Sequence, residues 1–474
     1  MTTHHGTTKA IGCSHMRLGN FCKMFNTSSW ADDIGADRDE AEAFAKLLGG
    51  EGGVMDDQQG ASREIPLPSG YTFFAQFVDH DITLDTESDL HGSTQDPTKL
   101  PNMRSASLDL DCVYGFGPEV SPHLYDEESK GNRDFASALL VGNAANPDDL
   151  PRNAQGRALI GDPRNDENLF VSQLQLVFLR FHNRRLKDLD GDFSRARTDC
   201  RNHYQYVVLN DLLARICDAK IYEFVRGRLR DETYPLFEIV DACGRICIPV
   251  EFSGAAYRFG HSLVRTHYPV NEAHRRVEIF DEEAGTLGFR QVDPAFAVDW
   301  SLLLPTSETV EPTRAHAIDH LLTSELFALP KPVVGEPEDH NDRSLAFRNL
   351  LRGYVLGLPS GQAAARALAE AGYPSNPDQD LAFADIPGWT NLPQLERARL
   401  EEHTPLFFYI LREAGVRGGD RLGPVASAIL LETFCTMLLR CDSYLTTPGW
   451  TPDSKIAGDS PLTLADIVRY ANGG

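Results

Sequence analysis

Apolar positions recur every three or four residues along most of the chain, the spacing of amphipathic helices. Ala41–Leu48 reads as a short helix closed by Gly49 and Gly50. Ser69–Thr83 reads as a helix carrying Phe73, Phe74 and Phe77. Leu169–Leu189 sets Leu174, Val177, Phe178, Phe181 and Leu186 near helical phase, and His203–Val225 continues the pattern. Ser360 is placed to cap a helix over Gly361–Ala371 that Gly372 then stops. Leu406–Gly415 and Pro424–Arg440 follow, with Pro424 at the first helical position, where a missing N–H costs nothing. Strand-like alternation is rare and short. Connections rich in Gly, Pro and Asp lie at 85–105, 141–168 and 327–343, and long connections of this kind often build sites. The pattern predicts a mainly α fold with few short strands. It forms one domain over residues 31–474 behind a polar, extended arm at 1–30.

Composition narrows the function classes. A chain of 474 residues that is 42% hydrophobic can bury a large core. Lys and Arg number 45 against 69 Asp and Glu, a formal charge of -24. Such a surface repels phosphate backbones, so no nucleic-acid partner is expected. The most apolar segment, Val425–Leu439, is interrupted by Ser427, Glu432 and Thr433 and is too short to span a bilayer. The first thirty residues show no basic stretch followed by an apolar run, the mark of a secretory signal. The nine cysteines (Cys13, Cys22, Cys112, Cys200, Cys217, Cys243, Cys247, Cys435 and Cys441) are odd in number and irregular in spacing. They read as reduced thiols of a cytoplasmic protein. Cys243 and Cys247 lack a second pair for a zinc site. Asp188–Asp192 lacks the later Gly and Glu of a calcium-binding EF-hand and reads as a solvated turn.

The segment Gln76-Phe77-Val78-Asp79-His80-Asp81 carries the most chemistry. On a helix Gln76 and His80 share a face, Asp79 lies at its edge and Asp81 points behind. One short element can thus aim an imidazole, an amide and a carboxylate into a pocket. Taken alone, such a histidine is more often a hydrogen-bonded structural residue.

Four further segments give that histidine a context. They are Ser105-Ala106-Ser107-Leu108-Asp109-Leu110-Asp111-Cys112-Val113-Tyr114-Gly115; Gly161-Asp162-Pro163-Arg164-Asn165-Asp166-Glu167 with Arg180-Phe181-His182-Asn183-Arg184; Tyr257-Arg258-Phe259-Gly260-His261; and Asn349-Leu350-Leu351-Arg352-Gly353 with Gly357-Leu358-Pro359. Together and in this order they resemble the motifs of the animal-type haem peroxidases, in a bacterial-type form, from residue 76 to 359. Departures are Asp111 for a usual Ser, Phe181 for Glu, and Tyr354-Val355-Leu356 for Arg-Asp-His. The ends of the chain match only loosely.

The resemblance implies a haem peroxidase fold with haem b held between a distal and a proximal helix. His261 would be the iron ligand, Asn349 would accept its N–H bond, and Arg258 and Arg352 would face the propionates. His80 would take a proton from hydrogen peroxide and return it to the leaving oxygen. Arg164 would stabilise charge on that oxygen, and Gln76 would hold a water or halide. Asp79 and Glu167 stand where family members form ester links to haem. Asn168 stands where a methionine would add a third link, so chloride is a poor donor; bromide, iodide, thiocyanate or phenolic and aromatic compounds suit better. Calcium would be held by Asp81, Ser105, the Ser107 carbonyl, Asp109 and Asp111.

Two alternatives stand beside this reading. A fatty-acid dioxygenase of the same superfamily would carry a tyrosine three residues before the proximal histidine; here that residue is Arg258, and Tyr257 is one position too early. A non-catalytic haem- or calcium-binding scaffold would have no need of His80 or Arg164, and both are present.

Overall fold

The computed structural model describes residues 19–85, 89–92, 94–126, 138–283, 286–335, 337 and 339–473. Eleven helices of eight residues or more occur among them, and we number these in chain order: α1 Arg38–Gly49, α2 Gly70–Ile82, α3 Leu169–Asp188, α4 Phe193–Val207, α5 Ala219–Arg230, α6 Leu345–Val355, α7 Gly361–Glu370, α8 Gln394–Glu402, α9 Leu406–Val416, α10 Pro424–Arg440 and α11 Leu464–Ala471. The strands are short. Gly19–Cys22 is the middle of a three-stranded sheet, antiparallel to Pro101–Asn102 and parallel to Ile248–Pro249, with Gly19 opposite Asn102 and Phe21 opposite Ile248.

The helix ends follow local side-chain chemistry. Asn168 accepts the Val171 N–H at the start of α3, and Ser360 accepts the Ala363 N–H at the start of α7. The helix expected over His203–Val225 is instead broken. α4 loosens into a wide turn at Val208–Leu213, and the chain extends at Cys217 before α5 begins. Asp218 makes the break by accepting the Lys220 and Ile221 N–H groups, which would otherwise continue one helix.

Buried apolar residues form one connected core from Phe21 to Ala471. At its centre α2 lies on α3, where Phe77 stacks on Phe178 with ring centroids 4.6 Å apart and planes 10° from parallel. Tyr204 of α4 meets Phe74, Phe77 and Phe178 edge-on. This aromatic cluster fixes the back of α2 and turns the opposite face toward the site.

Two expectations are corrected here. Residues 1–18 of the expected arm lie outside the described residues, but from Gly19 onward the chain is packed into the body. Phe21, Phe25 and Trp30 are buried, and Glu251 accepts the Met24 and Phe25 N–H groups. The reading of all nine cysteines as reduced thiols also fails. Cys22 is bonded to Cys247, tying that first strand to the one at Ile248–Pro249. Among the described residues Cys112, Cys200, Cys217 and Cys435 are buried free thiols, Cys243 is exposed and Cys441 is half-buried; Cys13 lies outside them. With the bridge, the thiol argument for a cytoplasmic setting is lost. Among the described residues no helix is long and apolar enough to cross a membrane.

Candidate active site

A cavity of about 300 Å³ opens between α2 and the segment that ends at His261. From α2 it receives Thr72, Phe73, Gln76, Asp79 and His80, positions three or four apart and so on one helical face. Asp81 points to the other side and is fully buried. Across the cavity lie Tyr257, Arg258, Gly260 and His261, carried not on a long helix but on a tight turn at Ala256–His261 that follows a short helix at Val250–Gly254. Two imidazoles from elements far apart in sequence therefore line one space. Thr72 and Tyr257 also line it, and their hydroxyls are buried without a hydrogen-bond partner.

Around His80 the polar groups are tightly partnered. Its Nδ1 is 2.7 Å from Asn165 Oδ1 and its Nε2 is 3.6 Å from Glu167 Oε1. The same Glu167 oxygen accepts from Gln76 Nε2, and Gln76 Oε1 accepts from Asn168 Nδ2 at 3.1 Å. Asp79 accepts the Thr83 hydroxyl at 2.9 Å.

Arg164 sits beside this group but faces a neighbouring cleft shared with Asp79, Asp85, Arg258 and Arg352. Its Nη2 donates to the His80 and Thr83 carbonyls at 3.0 and 2.7 Å and to Asp162 at 2.8 Å. Burial alone would raise the Asp162 pKa; the bonds from Arg164 and the charge of Arg104 outweigh it and hold that carboxyl well below the usual range. Sequence reading gave Asp162 no role, although its place two residues before Arg164 is the spacing of a side chain capping the next turn.

On the proximal side, burial, with Arg258 adding repulsion, pushes His261 down to about 3, so its imidazole is neutral at any ordinary pH. Asn349 lies inside α6 and is 1% exposed. Its side-chain amide lies 2.8 Å from His261 Nδ1, so the expected pair is in contact, and Arg258 Nη1 lies 3.2 Å from the other end of the same amide. Arg352 pairs with Asp85 at 3.0 Å. Burial and then the nearby Arg352 and Arg348 push Arg258 down to about 10. Arg164, Arg258 and Arg352 border the cleft together with Asp79 and Asp85, so an anion there meets three guanidiniums and two carboxylates.

The acidic loop comes together behind α2. Asp81 accepts the Leu110 and Cys112 N–H groups at 3.1 and 3.4 Å. Ser105 donates to Asp109 at 3.0 Å, Ser107 is buried nearby, and Asp109 Oδ1 is buried with no partner. Burial, then repulsion from Asp111, pushes Asp81 up to about 7; burial, then Asp81, pushes Asp109 up to about 6. Among the described residues, no three His, Cys, Asp or Glu side chains stand in a ready-made metal cluster.

Comparison with known proteins places this geometry. The family model described as animal haem peroxidase matches residues 56–360. A "Peroxidase-like protein" of Margaritifera margaritifera is 29% identical over 188 residues, 36% of this chain and 22% of that protein, so the match spans about a fifth of the relative's length. Among solved structures, peroxidase A from Dictyostelium discoideum aligns over 96% of this chain and 92% of its own with a TM-score of 0.54 at 16% identity. A fatty acid alpha-dioxygenase from Arabidopsis thaliana aligns over 96% and 78% with a TM-score of 0.60 at 14% identity. At such identities the structural likeness concerns the fold, that of the peroxidase–cyclooxygenase superfamily.

Proposed function

The chain belongs to the animal haem peroxidase family, and from that premise we propose that it binds haem and uses hydrogen peroxide to oxidise small donors. The observation that carries the reading is the pair His80 and His261 lining one cavity from opposite sides, beside a cleft bordered by half-buried arginines. The residues fit the group. A porphyrin has apolar faces and two carboxylates, and here apolar walls adjoin Arg258 and Arg352. The neutral His261 has the state an iron ligand needs. Bound there, haem supplies the iron-centred two-electron chemistry that an unaided side chain cannot.

The chain's own residues supply the rest. His261 holds iron, and Arg258 and Arg352 hold the propionates. His80 Nε2 takes a proton from peroxide and gives it back to the departing oxygen. Gln76 orders a water or a halide in front of it. Arg164, anchored by Asp162, contributes fixed positive charge from behind Asp79. Asp79 and Glu167 border the cavity as carboxylates able to form esters with haem. Acid–acetone extraction after peroxide cycling tests this: at least part of the haem should remain with the protein, and complete release would refute the link. Calcium belongs at Asp81, Ser105, the Ser107 carbonyl, Asp109 and Asp111, where three crowded carboxyls and an unpartnered Asp109 oxygen favour a hard cation.

Bromide, iodide, thiocyanate and phenolic or aromatic compounds are the donor classes to assay. Haem-loaded protein should oxidise at least one of them in the presence of peroxide and not without it. The dioxygenase reading is disfavoured by Arg258. No phenol stands three residues before His261, and the Tyr257 ring is packed between Phe252 and Phe434. Oxygen uptake with a fatty acid would reinstate it.

A further inference from the structure

A line of buried amides runs away from His80. Asn165 Oδ1 faces His80 Nδ1 at 2.7 Å, Asn165 Nδ2 donates to Gln175 Oε1 at 2.7 Å, and Gln175 Nε2 donates to the Cys112 carbonyl at 3.1 Å. Asn165 and Gln175 are fully buried. The Cys112 carbonyl is itself fixed, since it also accepts the Gly161 N–H at 3.0 Å.

The direction of every bond follows from this far end. A carbonyl only accepts, so Gln175 must present its NH2 to Cys112 and its oxygen to Asn165. Asn165 must then present its NH2 to Gln175 and its oxygen to His80. An oxygen facing Nδ1 requires the ring proton on Nδ1, which leaves a lone pair on Nε2, the nitrogen on the side of Glu167. Glu167 pulls the other way, because a carboxylate favours a proton on Nε2. At 3.6 Å it is beyond hydrogen-bond reach, and its nearer oxygen already accepts from Gln76.

We propose that Asn165 and Gln175 form a backbone-anchored relay that holds His80 in the tautomer protonated at Nδ1, making Asn165 a positioning residue for proton removal at Nε2. The catalytic half rests on the function proposed above; the tautomer rests on the hydrogen bonds alone.

The test separates the two halves. Full-length, haem-free protein carrying 15N in its histidine rings is examined by NMR, with His80 assigned by its loss in His80→Gln. The wild type should show the proton on Nδ1. Asn165→Leu should move it to Nε2, the form that free histidine prefers, and Asn165→Asp, which keeps an acceptor at that point, should restore Nδ1. Gln175→Met leaves Asn165 free to turn and should give a mixture, which covers the case of Asn165→Leu failing to fold. In haem-loaded protein Asn165→Leu should slow the reaction with peroxide by about 10- to 100-fold, with partial recovery in Asn165→Asp. A wild-type proton on Nε2, or a proton that stays on Nδ1 in both Asn165→Leu and Gln175→Met, would overturn the relay. A wild type that carries the Nδ1 proton yet ignores peroxide would confirm the tautomer and overturn its catalytic role together with the proposed function.

Discussion

Each histidine of the site has its own consequence when removed. His261→Ala should abolish haem uptake, read as loss of the haem absorption band on titration. His80→Ala should keep the band and lose about 100-fold or more of the rate with peroxide, the usual contribution of a positioned proton acceptor. Glu413 gives a separate prediction about pH. It lies on α9, buried against the start of α10, where it accepts the Val425 N–H, and burial pushes it up to about 8 from an ordinary 4.5. Between those values the folded chain keeps a proton that the unfolded chain releases, so stability falls as pH rises, at most by about 1.4 kcal/mol per pH unit from this group. Glu413→Gln removes that slope. The melting temperature of the variant minus that of the wild type should climb from pH 5 to 8 and then level off; a flat difference would refute it. At this scale the sequence displayed the site histidines, arginines and carboxylates because they sit in spaced motifs. It did not display Asn165, Gln175 or Asp162 as partners, because an amide carries no signal until the fold brings in a residue such as His80, 85 positions away.

Helices were the easiest elements to foresee where one periodic face meets a plain stop. α2 came within a residue of its expected ends, since its front and back faces differ in kind and Thr83 closes it. The break between α4 and α5 was hidden because apolar spacing continues through it and only the capping bond of Asp218 interrupts it. The turn bearing Asp162 and Arg164 is similarly close-fitted. A Cβ on Gly161 would lie 2.3 Å from the Asp111 carbonyl oxygen and 2.7 Å from that of Cys112. Gly161→Ala must push the acidic loop away from this turn, costing about 1–3 kcal/mol. Denaturant unfolding should show that loss, and an unchanged midpoint would mean the loop yields freely.

For the whole molecule, the strong helical pattern and the ordered motifs made the mainly α architecture legible, whereas long-range pairings were not. The Cys22–Cys247 bridge joins residues 225 apart, and no spacing rule announces it. Cys22→Ala combined with Cys247→Ala should lower stability by about 2–4 kcal/mol, measured as a fall in the thermal midpoint; equal midpoints would mean the first strand is held by Glu251 and the sheet alone. The proposed function rests on a site assembled from residue 76 to residue 352, so the central claim concerns that assembly. Its most direct test is the absorption spectrum of purified, haem-loaded protein before and after one equivalent of hydrogen peroxide. The account predicts a strong haem band that shifts at once and returns when a phenolic donor is added. Folded protein that takes up no haem, or takes it up and does not respond to peroxide, would contradict it.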